Sequence, residues 1–242
     1  MILVKLGKLS KEVKTDTYGG FSVTFKGIVH GEVFLYTKDF KLIPGTQVYP
    51  VFFTNKDIDT LVISDIDDTI LHSFTRTKIK RLLTTLFHPF HKRKIVDVTS
   101  KLYTTLSNTK ASFYYVSKSE SNLFGLISNF IVHNDLPIGP LLLTPYLRYS
   151  QLIMDKKDTL FKFLTICHIL DHAPKRPVIL IGDDTQEDMS VYTKVIEKYG
   201  SQIDKVYIHQ TSLKTSKKQK LLWEKLENTG TDAMYFKHDD LF

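Results

Sequence analysis

Three acids fall within four residues at Asp65, Asp67 and Asp68, directly after the apolar run Leu61-Val62-Ile63, and Thr69 completes an Asp-x-Asp-x-Thr pattern. Like charges this close repel strongly where the dielectric is low, so gathering them in a fold is costly unless a cation sits among them. An acidic turn, or a helix start capped by Asp68 or Thr69, would account for a lone Asp-x-Asp. A second cluster weighs against that bland reading: Gly182-Asp183-Asp184-Thr185-Gln186-Glu187-Asp188 follows another apolar run, Pro177 to Ile181. Its glycine is expected to permit a sharp exit from a strand, aiming Asp183 at the same sheet edge as Asp65. Carboxylates from two strands, with waters and a substrate oxygen, make an octahedral oxygen site suited to Mg²⁺. Neither cluster holds the Cys and His ligands of a structural zinc.

Between the clusters, the apolar run Ser112 to Val116 ends in Ser117, whose hydroxyl could donate to a phosphate oxygen, although a serine after a strand is also common in loops. Phosphate beside a deprotonated aspartate requires a cationic side chain as well. Lys156, Lys157 and Lys162 compete for that role.

Parallel strands are the elements that would bring these groups to one rim. From Leu61 onward, short apolar runs alternate with longer helical patterns, the signature of parallel strands covered on both faces. Strands are expected at Thr60 to Ser64, Ser112 to Val116, Pro140 to Leu143, Val178 to Ile181 and Lys205 to Ile208. Helices are expected at Val96 to Leu106, Asn122 to Phe130, Thr159 to Leu170 and Ser190 to Lys198. The first sixty residues read differently, since Gly20 to Gly27 and Gly31 to Tyr36 alternate apolar and polar residues between glycines, as short antiparallel strands do. The expected fold is therefore α/β: a doubly wound, Rossmann-like parallel sheet over 59–242, preceded by a small antiparallel β subdomain over 1–58. No internal repeat is evident.

At 242 residues, with 42% hydrophobic and 24% charged, the chain is long enough for one α/β core and a smaller appendage, and its composition is that of an ordinary folded protein. It has no apolar run near the roughly 20 residues of a membrane span, and its first residues lack the apolar centre of a signal peptide, so a cytoplasmic protein is expected. The single cysteine, Cys167, has Ile166, Ile169 and Leu170 around it and reads as a buried helix position. The net charge of +7 suits an anionic partner.

That charge is concentrated in part between Ile70 and Val96, where no acid occurs and Arg76, Lys78, Lys80, Arg81, Lys92, Arg93 and Lys94 are interleaved with leucine and phenylalanine. A short basic cap insert over about 73–95 is expected. Its composition suits peripheral contact with an anionic membrane surface, and equally a solvated helix whose apolar face packs on the core. A second basic stretch, Lys214 to Lys220, precedes Leu221-Leu222-Trp223 and reads as a linker and terminal helix. No recognised nucleic-acid motif appears, and a nucleic-acid role ranks low.

With these residues in place, the chain resembles the haloacid-dehalogenase-like phosphatase superfamily, whose motifs match Asp65-x-Asp67-x-Thr69, Ser117, a lysine, and Gly182-Asp183 with Asp188. More narrowly it is similar to the actin-patch-associated phosphatidate phosphatase catalytic domain family. That likeness rests on Val62 to Ile70, Tyr115 to Ser119, Leu180 to Asp188, Tyr192 and Val206 to Ile208, and covers about 58–212. The resemblance favours Lys162, which opens a run through Ile166 and Leu170 to Pro174. It departs at Asp184, where the family has serine, and at Glu120, where it has proline. Both changes are expected to add acid at the mouth of the site.

The resemblance implies that Asp65 attacks phosphorus to form an aspartyl-phosphate and that Asp67 acts as general acid and then base. It implies that Asp65, the Asp67 carbonyl and Asp183 hold Mg²⁺ with Asp188 in support, while Ser117 and Lys162 hold phosphate oxygens. The substrate it implies is phosphatidate or a related lipid phosphate. A soluble phosphomonoesterase acting on a sugar, nucleotide or phosphoprotein is the nearest alternative; an inactive scaffold that binds anionic lipid or nucleic acid is the alternative of another class.

Overall fold

The computed structural model describes residues 1–15, 19–21, 23–26, 31–45, 52, 57–66, 96–144, 156–184, 187–211 and 214–237, with the side chains of 96–100, 122 and 156–159 outside that description. Two compact units divide it, Met1–Thr54 and Asn55–Phe242.

In the first unit, β1 (Ile2–Leu6), β2 (Leu9–Val13), β3 (Val33–Thr37) and β4 (Leu42–Ile43) form an antiparallel sheet in the order β2-β1-β3-β4. β1 takes the centre because Val4 and Leu6 turn inward while Lys5 faces out, the period-two pattern of a half-buried strand. A two-residue turn at Gly7-Lys8 closes the β1–β2 hairpin, with Leu6 paired to Leu9. Gly7 supplies the positive φ of 56° that such a turn requires. β3 meets the expected strand at Gly31 to Tyr36. The strand expected at Gly20 to Gly27 is not found, for the described residues of that stretch lie outside any strand and Phe21 is exposed. Alternation without a surface to cover Phe21 does not make a strand there.

The second unit runs β5 (Thr60–Ser64), α1 (Val96–Ser107), β6 (Ala111–Glu120), α2 (Phe124–His133), β7 (Leu141–Thr144), α3 (Lys156–His172), β8 (Val178–Asp183), α4 (Asp188–Tyr199), β9 (Ile203–His209), α5 (Lys217–Glu227) and β10 (Asp232–Phe236). Its six strands lie in the order β10-β9-β8-β5-β6-β7, and every neighbouring pair is parallel. Successive residues of the central strands serve opposite faces. Leu61 and Ile63 of β5, with Val178 and Leu180 of β8, pack with α3, α4 and α5. Val62 of β5, with Ile179 and Ile181 of β8, packs with α1 and α2. The sheet is thus wound on both sides, as the apolar runs predict. Cys167 is buried on α3.

Two elements differ from expectation. β6 runs past Ser117 to Glu120, carried there by a register irregularity against β7 between those two residues. β10, which carries no β-branched residue, adds to the free edge of β9 in register from Asp232↔Lys205 to Phe236↔His209. The chain reverses its order of strand addition between β5 and β8, and in an open α/β sheet that switch leaves a crevice at the strands' carboxyl ends. Among the described residues, no helix is long and apolar enough to cross a membrane.

Gly139, before β7, shows how closely the sheet and its connections pack: an added Cβ would collide with the Phe113 carbonyl and lie 3.2 Å from the Phe113 Cβ. Gly139→Ala should therefore cost about 1–3 kcal/mol, the range for overpacking a filled interior, read as a lowered urea midpoint with an unchanged slope.

Candidate active site

β5 and β8 end at the switch point, and the acids singled out in the sequence follow from their ends. The Asp65 amide donates to the Ile181 carbonyl at 2.8 Å, extending the β5–β8 ladder one residue beyond β5. Asp183 is the last residue of β8, and Asp188 is the first helical residue of α4, where the helix dipole favours a negative charge. All three side chains are buried. One carboxylate oxygen from each lies within 4.8 Å of the others, comparable with the span of roughly 4–5 Å across the coordination sphere of a divalent cation.

Lys162 enters the cluster from α3. It lies four residues before Ile166 and eight before Leu170, so the buried stripe of the helix ends in an ammonium where the strands end in carboxylates. Its Nζ is 3.0 Å from Asp65 Oδ1 and also donates to Asp188 Oδ1. Burial, the largest single influence, pulls the ammonium down; Asp188 and then Asp65 outweigh it and hold Lys162 above the ordinary lysine range. Lys156 and Lys157 begin the same helix, and their side chains lie outside the described residues.

Gly182 has a different role from the one expected. It lies inside β8, and an added Cβ would come within 2.9 Å of the Asp188 Cβ and Cγ. The missing side chain lets Asp188 press against the strand, where its Oδ2 accepts from the Asp183 amide at 3.2 Å. Space for a carboxylate, not a turn, is what this glycine provides.

Ser117 is buried near the end of β6, the strand beside β5, and its Oγ accepts from the Ser119 amide at 2.9 Å. Asp67, Thr69 and the basic insert with Arg76, Lys78, Lys80, Arg81, Lys92, Arg93 and Lys94 lie outside the described residues. Of the proposed set, Asp65, Asp183, Asp188 and Lys162 are brought together, with Ser117 one strand away at the same end of the sheet.

The reading of the residues missed the aromatic supports. Ser64 Oγ donates to the Asp65 carbonyl at 2.6 Å and also meets the Tyr103 hydroxyl. Because the single serine proton goes to a carbonyl, which can only accept, the tyrosine is the donor of that second bond. Burial raises the Tyr103 phenol above its usual range, the Ser64 bond opposes this and Asp65 adds to it, so the group keeps its proton. Tyr192 of α4 donates to the Ile181 carbonyl at 2.8 Å, the same oxygen that accepts from the Asp65 amide. Its phenol is held well above normal by burial and then by the charges of Asp188, Asp65 and Asp183. A tyrosine on an amphipathic helix reads simply as core, so only the resemblance pointed to Tyr192 and nothing pointed to Tyr103.

Among the described residues three carboxylates lie together, two of them paired to one ammonium, and their oxygens are donors of the kind that hard divalent cations prefer. The residues present therefore fit a divalent metal. A doubly wound parallel sheet with acids gathered at its switch point agrees with the haloacid-dehalogenase-like class that the motifs resemble. More specifically, the family model described as the phosphatidate phosphatase APP1 catalytic domain matches residues 60–210, and the chain belongs to that family. It is 32% identical over 149 residues to phosphatidate phosphatase APP1 of Saccharomyces cerevisiae, covering 61% of this chain and 25% of that protein. It is 24% identical over 151 residues to an uncharacterized protein of Schizosaccharomyces pombe, covering 61% of this chain and 24% of the relative. The matched region thus spans about a quarter of the length of these curated relatives.

The Lys162 pairing has a measurable signature. Lys162→Met leaves buried carboxylates without their ammonium and should destabilise the domain by about 3–5 kcal/mol. A group whose folded pKa is raised contributes stability that is complete below its unfolded value and is lost as pH rises through the folded one. The difference between wild type and variant should therefore be flat from neutral pH to the ordinary lysine value of 10.5 and shrink only above it. Urea unfolding across that range checks this.

Proposed function

We propose that this chain is a Mg²⁺-dependent phosphohydrolase that acts on phosphatidate or a related lipid phosphate through an aspartyl-phosphate intermediate. The observation that carries the reading is the buried cluster of Asp65, Asp183 and Asp188 at the sheet's switch point, with Lys162 paired to Asp65 and Asp188. Mg²⁺ would be held by Asp65, the Asp67 carbonyl and Asp183 with Asp188 in support, and when bound it supplies charge compensation for the transferred phosphoryl group and the attacking carboxylate.

The remaining chemistry belongs to the chain's own residues. Asp65 attacks phosphorus in line, breaking the bond to the leaving oxygen and forming an acyl phosphate. Its backbone is fixed for this on both sides, by the amide bond to Ile181 and by the Ser64 hydroxyl on its carbonyl. Asp67 gives a proton to the departing alkoxide and then takes one from the water that releases phosphate. Ser117 and Lys162 hold the other phosphoryl oxygens, Thr69 completes the catalytic set, and the ion pair with Lys162 favours the ionised form of Asp65 as a nucleophile. The family's printed name supports the lipid substrate, and the acid-free basic stretch 70–96 supports a peripheral, cytoplasmic approach to an anionic bilayer. On this reading 73–95 is a short cap over a domain beginning near residue 59.

Two measurements test it. Asp65→Asn should lower phosphate release from p-nitrophenyl phosphate on the order of 10⁴-fold or more, the scale of losing a covalent nucleophile, while circular dichroism and thermal unfolding stay close to wild type. Full activity in that variant would refute the mechanism. Wild-type turnover should require Mg²⁺ and should favour phosphatidate in vesicles over soluble phosphomonoesters; a preference for a sugar phosphate, nucleotide or phosphoprotein would assign a soluble substrate instead.

A further inference from the structure

Asp184 follows Asp183 directly and is 3% exposed, yet it does not belong to the group of converging carboxylates. Its Oδ1 accepts from the Thr211 amide at 3.1 Å and from the Thr211 hydroxyl at 2.6 Å. Its Oδ2 accepts from the Tyr235 hydroxyl at 2.5 Å. The acid expected at the mouth of the site is thus turned into the protein and satisfied there.

The backbone of Asp184 is held as firmly. Its amide donates to the His209 carbonyl at 3.1 Å, and its carbonyl accepts from Gln219 Nε2 at 2.9 Å. Gln219 is itself fixed, because its Oε1 accepts from the Ser216 amide at 2.7 Å in the capping box that starts α5. Tyr235 stands on β10 with its ring 5.0 Å from that of Trp223 on α5. Burial, then the bond to Asp184 and its charge, keep the phenol protonated and donating.

Every side chain in this grip comes from beyond residue 210, where the family match ends. A buried carboxylate is tolerated only with strong donors, so an aspartate at this position requires the later segment. The consequence falls on Asp183, whose own amide is bound to Asp188 on one side while its successor is bound by side chain, amide and carbonyl on the other. With both flanks fixed, the backbone from which the Asp183 carboxylate projects is held in place before any cation arrives.

We propose that Asp184 is a positioning residue: gripped by Thr211, Gln219 and Tyr235, it fixes the strand end that carries Asp183 and ties the segment after residue 210 to the cation-holding group. The inference rests on the metal reading above. It is tested in the full chain with Tyr235→Phe, Thr211→Val and the conservative Thr211→Ser, by calorimetric titration of Mg²⁺ and by thermal unfolding without metal. Tyr235→Phe and Thr211→Val should each weaken Mg²⁺ binding about tenfold, the low end for loss of a residue supporting a ligand. Thr211→Ser, which keeps the hydroxyl, should restore it. In an Asp184→Ser background, Tyr235→Phe should have no further effect on the Mg²⁺ dissociation constant. If Tyr235→Phe does not fold, the Thr211 pair carries the same comparison. An unchanged Mg²⁺ affinity in variants that only melt earlier overturns the proposal and leaves a structural anchor. Wild-type protein that binds no Mg²⁺ would overturn the site reading and this inference with it.

Discussion

Everything in the second unit is arranged around a repulsion that must be contained. Asp65, Asp183 and Asp188 are buried within a few ångströms of one another, and carboxylates in a dry interior do not stay together unaided. Lys162 supplies the balancing charge from outside the sheet, across the face that α3 and α4 cover. The apolar alternation of β5 and β8 exists on both faces so that the strand ends can be held rigid while their tips carry charge. A buried ion pair contributes little net stability. Its persistence here fits a site that trades stability for chemistry.

Rigidity at the tips comes from hydrogen bonds shared between elements. The Ile181 carbonyl accepts both the Asp65 amide and the Tyr192 hydroxyl, which ties β5, β8 and α4 at one atom. Ser64 ties the Asp65 carbonyl to Tyr103 of α1 on the opposite face. The residue proposed as nucleophile is thus fixed from both sides of the sheet by groups that never need to touch a substrate, the supporting arrangement that keeps reacting groups within tenths of an ångström.

Much of this was legible in the sequence, for reasons that differ by residue. Asp65 and Asp183 declared themselves because an acidic cluster two residues after a short apolar run is hard to read as a mere turn when it occurs twice. Lys162 could be read from its spacing to Ile166 and Leu170, since an amphipathic stripe that ends in a lysine is locally visible, although choosing it over Lys156 and Lys157 took a family likeness. Asp184 was misjudged because proximity along the chain says nothing of direction: it lies just past the end of β8, and its partners Thr211 and Tyr235 are remote in sequence. β10 and the β1–β2 hairpin were missed because Asp232 to Phe236 carries no β-branched residue and the hairpin turns at Gly7-Lys8 rather than at an Asn-Gly or Asp-Gly pair. The expected strand at Gly20 to Gly27 erred the other way, with local alternation and nothing for Phe21 to bury against.

The order of strands has a consequence for how the protein is made. β5 is hydrogen-bonded on one edge to β6, which follows it closely, and on the other to β8, which is more than a hundred residues further along. On the ribosome, β5, β6 and β7 emerge before β8, so a nascent chain can pair them while the second edge of β5 stands bare. Such an edge invites pairing with other chains until β8 arrives to cover it. The charged tips meet only at that step, so the capacity to hold a metal is among the last properties a newly made chain acquires.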